Sequence, residues 1–136
     1  MIHYVFDSFA MITYFRQEPG NEYVKNCLLD IARYKPVGHM SAIHVGEVYY
    51  MMCRKSNSKF AEGALIDLFQ MPIEIVDPNL DSCLAAAAFK AKNLLSYADS
   101  FTAILTIEKN AILITGDSEF KNLLKEPGFN LRFINE

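Results

Sequence analysis

Short, almost wholly apolar runs alternate along this chain with longer segments whose apolar residues recur every three or four positions. The short runs are Met1 to Phe6, Pro36 to Met40, Ile73 to Val76, Ala111 to Thr115 and Leu131 to Ile134. Their β-branched and aromatic content predicts strands. Between them, Ser8 to Phe15 is apolar all round, and Glu22 to Tyr34 lines up Tyr23, Cys27, Leu28, Ile31 and Tyr34 at helical spacing. Ser41 is placed to cap a helix running to about Arg54, and another covers Phe60 to Phe69. Asp77 followed by Pro78 reads as a cap and a first-turn proline, opening a helix through Ala85 to Ala88. Ser96 starts the next, to about Lys109, and Ser118 to Lys125 is the last. Strands without polar alternation, separated by helices, predict a three-layer α/β/α fold around a parallel sheet of about five strands.

Composition narrows the class. With 136 residues and a hydrophobic content of 51%, one domain spanning 1–136 can bury a core without disulfides or a structural metal. Net charge is −3, so no global basic field draws the chain to nucleic acid. Cys27, Cys53 and Cys83 are odd in number and lack ligand spacing, which fits small core residues in a reducing compartment. No apolar stretch approaches ~18 residues, and no charged-then-apolar leader opens the chain, so a cytoplasmic protein without a membrane span is expected.

Four acids stand where the pattern does not ask for them. Asp7 and Asp117 each follow a strand and precede a helix, in Phe6-Asp7-Ser8 and Thr115-Gly116-Asp117-Ser118. Either acid could simply cap its helix. Ligands of open parallel sheets, however, bind beyond the carboxyl ends of strands, where both acids fall. Glu47 lines up with Ile43 and Met51, a stripe expected to face the core, where an unpaired carboxylate is costly. A salt bridge or a rotated helix is the structural alternative. Asp99 completes Ser96-x-x-Asp99, a capping-box spacing, amid Leu94, Leu95, Phe101, Ile104 and Leu105. Capping and metal binding are compatible, because a helix N-terminus favours the ionised carboxylate. Oxygen ligands with few His or Cys partners select Mg²⁺ or Mn²⁺, and His3, His39 and His44 read as core or surface residues. Such a centre suits hydrolysis of a phosphodiester.

Together, Val5-Phe6-Asp7-Ser8, Ser41-x-x-His44-Val45-Gly46-Glu47-Val48, Leu95-Ser96-Tyr97-Ala98-Asp99-Ser100-Phe101 and Ile114-Thr115-Gly116-Asp117-Ser118-Glu119-Phe120 resemble the PIN-domain family. The closest resemblance is to the VapC-type toxin ribonucleases of toxin–antitoxin pairs. It implies that Asp7, Glu47, Asp99 and Asp117 are catalytic, metal-binding acids of an Mg²⁺- or Mn²⁺-dependent endoribonuclease. Ser8, Thr115 and Glu119 fall where such proteins carry supporting polar groups. The resemblance also implies an RNA substrate, a homodimer and a protein antitoxin whose tail enters the cleft. Ser8 replaces a frequent Thr, and Phe9-Ala10-Met11 is bulkier than usual, which bears on substrate choice.

Arg54, Lys55, Lys90 and Lys92 lie in helices that could border the acids and meet RNA, against the plainer reading of solvated surface. A receiver domain would need paired acids after the first strand and a Lys after the last; a dehalogenase-like phosphatase would need Asp-x-Asp where Asp7-Ser8-Phe9 stands. Neither pattern is present, nor is GxGxxG. The alternative from another class is a catalytically inactive PIN-like module that binds RNA or a partner.

Overall fold

The computed structural model describes residues 1–135. Strands β1 (His3–Phe6), β2 (Val37–Ser41), β3 (Ile73–Val76), β4 (Ile112–Thr115) and β5 (Asn130–Phe133) form one sheet in the order β3-β2-β1-β4-β5. All its pairings are parallel, as expected from the apolar runs, and Val5 stands opposite His39 on one side and Leu113 on the other. The helices are α1 (Ser8–Phe15), α2 (Asn21–Tyr34), α3 (Ala42–Lys55), α4 (Ser58–Gln70), α5 (Leu80–Lys92) and α6 (Tyr97–Glu108), with a 3₁₀ turn over Ser118–Leu123.

Neighbouring strand residues point to opposite faces, so Val5 and Phe6 serve different cores. Phe6 packs in the cluster of Met11, Val24, Ile31, Met40, Val48, Met52 and Leu68 from the α1 to α4 side. Val5 joins Phe89, Leu95, Ala103, Leu105, Phe120 and Leu123 from α5, the loop after it, α6 and the 3₁₀ turn. Both faces are covered, which is why the strands carry no alternation to mark an outside. Central α6 is buried from Asp99 to Ala103 and again at Leu105 and Thr106, and it satisfies part of its polar content internally. Ser100 donates to Ser96 O at 2.9 Å, and Thr106 donates to Thr102 O at 2.8 Å.

Chain direction sets the site. From β1 the sheet grows outward through β2 to β3, and then the chain returns to lay β4 on the other flank of β1, followed by β5. The two directions part between β1 and β4, and a crevice opens beyond their carboxyl ends. Asp7 follows β1 directly, and Gly116-Asp117 follows β4.

Several element ends differ from expectation. The cap of α5 is Asn79, whose Oδ1 accepts from Ser82 N at 2.8 Å, so Asp77 and Pro78 precede the helix instead of opening it. An Asn one residue beyond the proline satisfies the free N–H group, leaving Asp77 exposed. The last helix is 3₁₀ and stops at Leu123. Its buried residues, Phe120 and Leu123, are three apart, and a three-residue turn puts both on one line. In α3 the buried residues are His44, Val48 and Met52, one position on from the expected Ile43-Glu47-Met51 stripe. Glu47 therefore flanks the core without entering it.

Candidate metal centre

Each acid is delivered by a local device. Asp7 caps α1, Oδ1 accepting from Ala10 N at 2.8 Å, and it is only 1% exposed. Its other oxygen accepts from the Thr115 hydroxyl at the end of β4. Thr115 Oγ1 in turn accepts from Asp117 N at 2.9 Å, so one hydroxyl joins the two strand ends. Asp117 caps the 3₁₀ turn through Glu119 N at 3.0 Å. Gly116 between them lets the Phe9 ring lie against the backbone, since a Cβ there would stand 2.3 Å from Phe9 Cε1 and would have to push that exposed ring aside. Ser96 caps α6 by accepting from Asp99 N at 3.1 Å. The Asp99 carboxylate turns away from the reciprocal half of a capping box, towards His44 Nε2 at 3.2 Å.

Two overlapping acidic groups result. Ligand-type atoms of His44, Glu47 and Asp99 lie within 4.8 Å of one another, and so do those of Asp99, Asp117 and Glu119. Asp99 belongs to both. Asp7 is outside either group and sits behind them, close enough that Asp99 and His44 both act on its ionisation. Burial raises the Asp7 pKa from 3.8 to about 7, against the His44 charge, the Thr115 hydroxyl and the Ala10 N–H; the Asp99 charge adds to the rise. For His44 burial works downward, yet Asp99, Asp7 and Glu47 outweigh it and hold the imidazole above its ordinary value. So much like charge in one crevice favours a cation.

The donor set fits a hard divalent ion. Oxygens bound to one Mg²⁺ at ~2.1 Å stand at most ~4.2 Å apart, so spacings within 4.8 Å need only small side-chain rotations. Ser8 helps hold one of these oxygens, donating from Oγ to Glu47 Oε1 at 2.9 Å.

His44 is the participant that sequence reasoning missed. Its full burial matches the expectation of a core histidine, but its ring lies between Ser8, Glu47 and Asp99. Its place three residues before Glu47 was the available signal, since i and i+3 share a helix face.

The basic residues divide. Lys90 and Lys92 line a groove of about 610 Å³ together with Ser96 and Glu119, at the edge of the acidic crevice, although Lys90 Nζ donates to Leu95 O at 2.7 Å. Lys55 borders a second groove, of about 530 Å³, with Phe9 and Met51. Arg54 lies over the Tyr50 ring, 5.2 Å from its centre. Cys27, Cys53 and Cys83 are all free thiols. Among the described residues no helix is long and apolar enough to cross a membrane.

Fold and site define a three-layer α/β protein that gathers carboxylates at its topological switch point. The family profile of the PIN domain matches residues 4–125, and the chain belongs to that family. Comparison with curated protein sequences finds no match. Solved structures share the fold. VapBC2 from Rickettsia felis, bound to a DNA fragment from its promoter, is 19% identical with a TM-score of 0.75, over 97% of this chain and 98% of that one. Mycobacterium tuberculosis VapC20, a toxin that cleaves the sarcin–ricin loop, is 15% identical with a TM-score of 0.71, over 87% and 92%. VapBC-1 from nontypeable Haemophilus influenzae is 20% identical with a TM-score of 0.67, over 99% and 100%.

Proposed function

We infer that this chain is a metal-dependent endoribonuclease, the toxin component of a type II toxin–antitoxin pair, acting in the cytoplasm as one domain. The observation that carries the reading is the convergence on Asp99 of Glu47 from one side and of Asp117 and Glu119 from the other, beside buried Asp7 at the crevice between β1 and β4. Glu47, Asp99 and Asp117 would hold Mg²⁺ or Mn²⁺, with Asp7 behind them and Glu119 at the solvent side. The ion would supply an activated water and neutralise charge on the scissile phosphate.

The chain's own groups prepare the rest. Ser8 and Thr115 fix the carboxylate oxygens of Glu47 and Asp7, and exposed Lys92 beside Glu119 offers a positive charge where an RNA backbone would enter. Similarity in fold to a toxin that cleaves the sarcin–ricin loop supports RNA as the substrate. Similarity to the VapBC structures supports a protein antitoxin. Exposed Phe60, Ile66 and Phe69 on α4, and separately Leu80 and Leu84 on α5 across the sheet, are apolar surface that such a partner or a second copy would cover.

The test is cleavage of RNA by purified protein. Activity should require Mg²⁺ or Mn²⁺, stop with chelator, and fall more than ~100-fold in Asp99→Asn and Asp117→Asn while circular dichroism is unchanged. Cleavage that survives both substitutions would reject the site. RNA binding without cleavage by the native protein would reject the nuclease reading.

A further inference from the structure

His44 presents a choice with a chemical answer. Its Nε2 is buried, lies 3.2 Å from Asp99 Oδ1 and 3.4 Å from Glu47 Oε1, and is aligned for a hydrogen bond with neither. An unpartnered ring nitrogen aimed at two carboxylates is what a third cation ligand would look like. The other nitrogen decides against it. Nδ1 accepts the backbone N–H of Ser8 at 3.0 Å.

Ser8 is the first residue of α1, whose opening N–H groups have no partner inside the helix. Asp7 serves only Ala10 N, and Ser8 is 7% exposed, so His44 Nδ1 takes the place of water on that N–H. A neutral imidazole has one lone pair and one N–H in its plane. With the lone pair at Nδ1 given to Ser8, the proton must sit on Nε2, which then has nothing to donate to a metal. Turning the ring over would put carbon against the Ser8 N–H and against both carboxylates. Binding a cation through Nε2 would move the proton to Nδ1 and set N–H against N–H.

We propose that His44 is a positioning residue and not a ligand, its Nε2–H standing between the Asp99 and Glu47 carboxylates while Nδ1 anchors it to the start of α1. It thereby ties three elements: α1, whose cap is Asp7; α3, which carries Glu47; and α6, which carries Asp99. The centre stays all-oxygen, which suits Mg²⁺ and Mn²⁺ over Zn²⁺. This rests on the metal-site reading above and specifies how that site is held.

Two measurements test it. In Mg²⁺-saturated native protein, ¹⁵N correlation spectra of the histidine rings should show His44 protonated at Nε2 and bare at Nδ1; any proton on Nδ1 overturns the assignment. In His44→Ala, calorimetric affinities for Mg²⁺ and Zn²⁺ should fall together, by ~10–100-fold, with their ratio unchanged. Loss confined to Zn²⁺, the ion that prizes nitrogen, would make His44 a ligand. His44→Gln, which can return an N–H near the Nε2 position, should recover most of the Mg²⁺ affinity, and failure to do so while folded counts against positioning. If the variants do not fold, the ring spectra of the native protein still decide. Should native protein bind no divalent ion, the metal-site reading fails, and the tautomer can still be read without metal.

Discussion

Replacing Asp7 by Asn should make the metal-free protein more stable at alkaline pH. Asp7 ionises near 3.8 in the unfolded chain and near 7 in the fold, chiefly because burial disfavours its charge. Between these values the native state holds a proton that the unfolded chain has released. Stability from this group is therefore fully present below 3.8 and is lost as pH rises through about 7. The gap is worth on the order of 4 kcal/mol, of which roughly 3 kcal/mol disappears between pH 5 and pH 8. Asn cannot ionise, yet retains an oxygen for Ala10 N. Asp7 and His44 act on each other's ionisation, so the difference between native and variant reports Asp7 together with its coupling to His44. Urea unfolding in chelator at pH 5, 6, 7 and 8 should give a native curve that falls towards the variant's and crosses it. Saturating Mg²⁺ at pH 8 should stabilise native protein more than Asp7→Asn. Parallel pH dependences, or a variant less stable than native protein at pH 8, would refute the reasoning.

Thr115→Val keeps the shape of the β4 end but removes both the donor to Asp7 and the acceptor for Asp117 N. It should cost ~1–3 kcal/mol at pH 8 by urea unfolding, and less at pH 5, where Asp7 is protonated. Asn79→Ala should cost ~1 kcal/mol through loss of the α5 cap, whereas Asp77→Ala should leave stability within ~0.5 kcal/mol; thermal melts of the two variants check the order.

Much of this architecture was legible because burial on both faces leaves an unmistakable apolar run. The strand over Ile73–Val76 was read to the residue, and the others to within two. Helix faces were harder. In α3, Ile43, Val45, Val48, Met51 and Met52 spread over roughly 200° of the helix circumference, and stripes one residue apart differ by about 100° of rotation, so pattern alone placed Glu47 on the core line when it flanks it. The acids themselves stood out as polar exceptions, yet Asp7, Asp99 and Asp117 each also had an ordinary capping role, and in the fold Asp7 and Asp117 do cap while Ser96 alone caps α6. What local reading cannot supply is distance. Asp7 meets Thr115 across 108 residues only because β4 pairs with β1 and not with β3, a choice made by the whole sheet. His44 was passed over for the same reason: a lone imidazole has no period, and its meaning comes from Ser8 and Asp99, which reach it from two other helices. Convergence at a switch point thus gathers several locally sufficient caps around fully buried Asp7, and it is the cost of charging that carboxylate, set chiefly by burial with the Asp99 charge adding to it, that a bound cation would relieve.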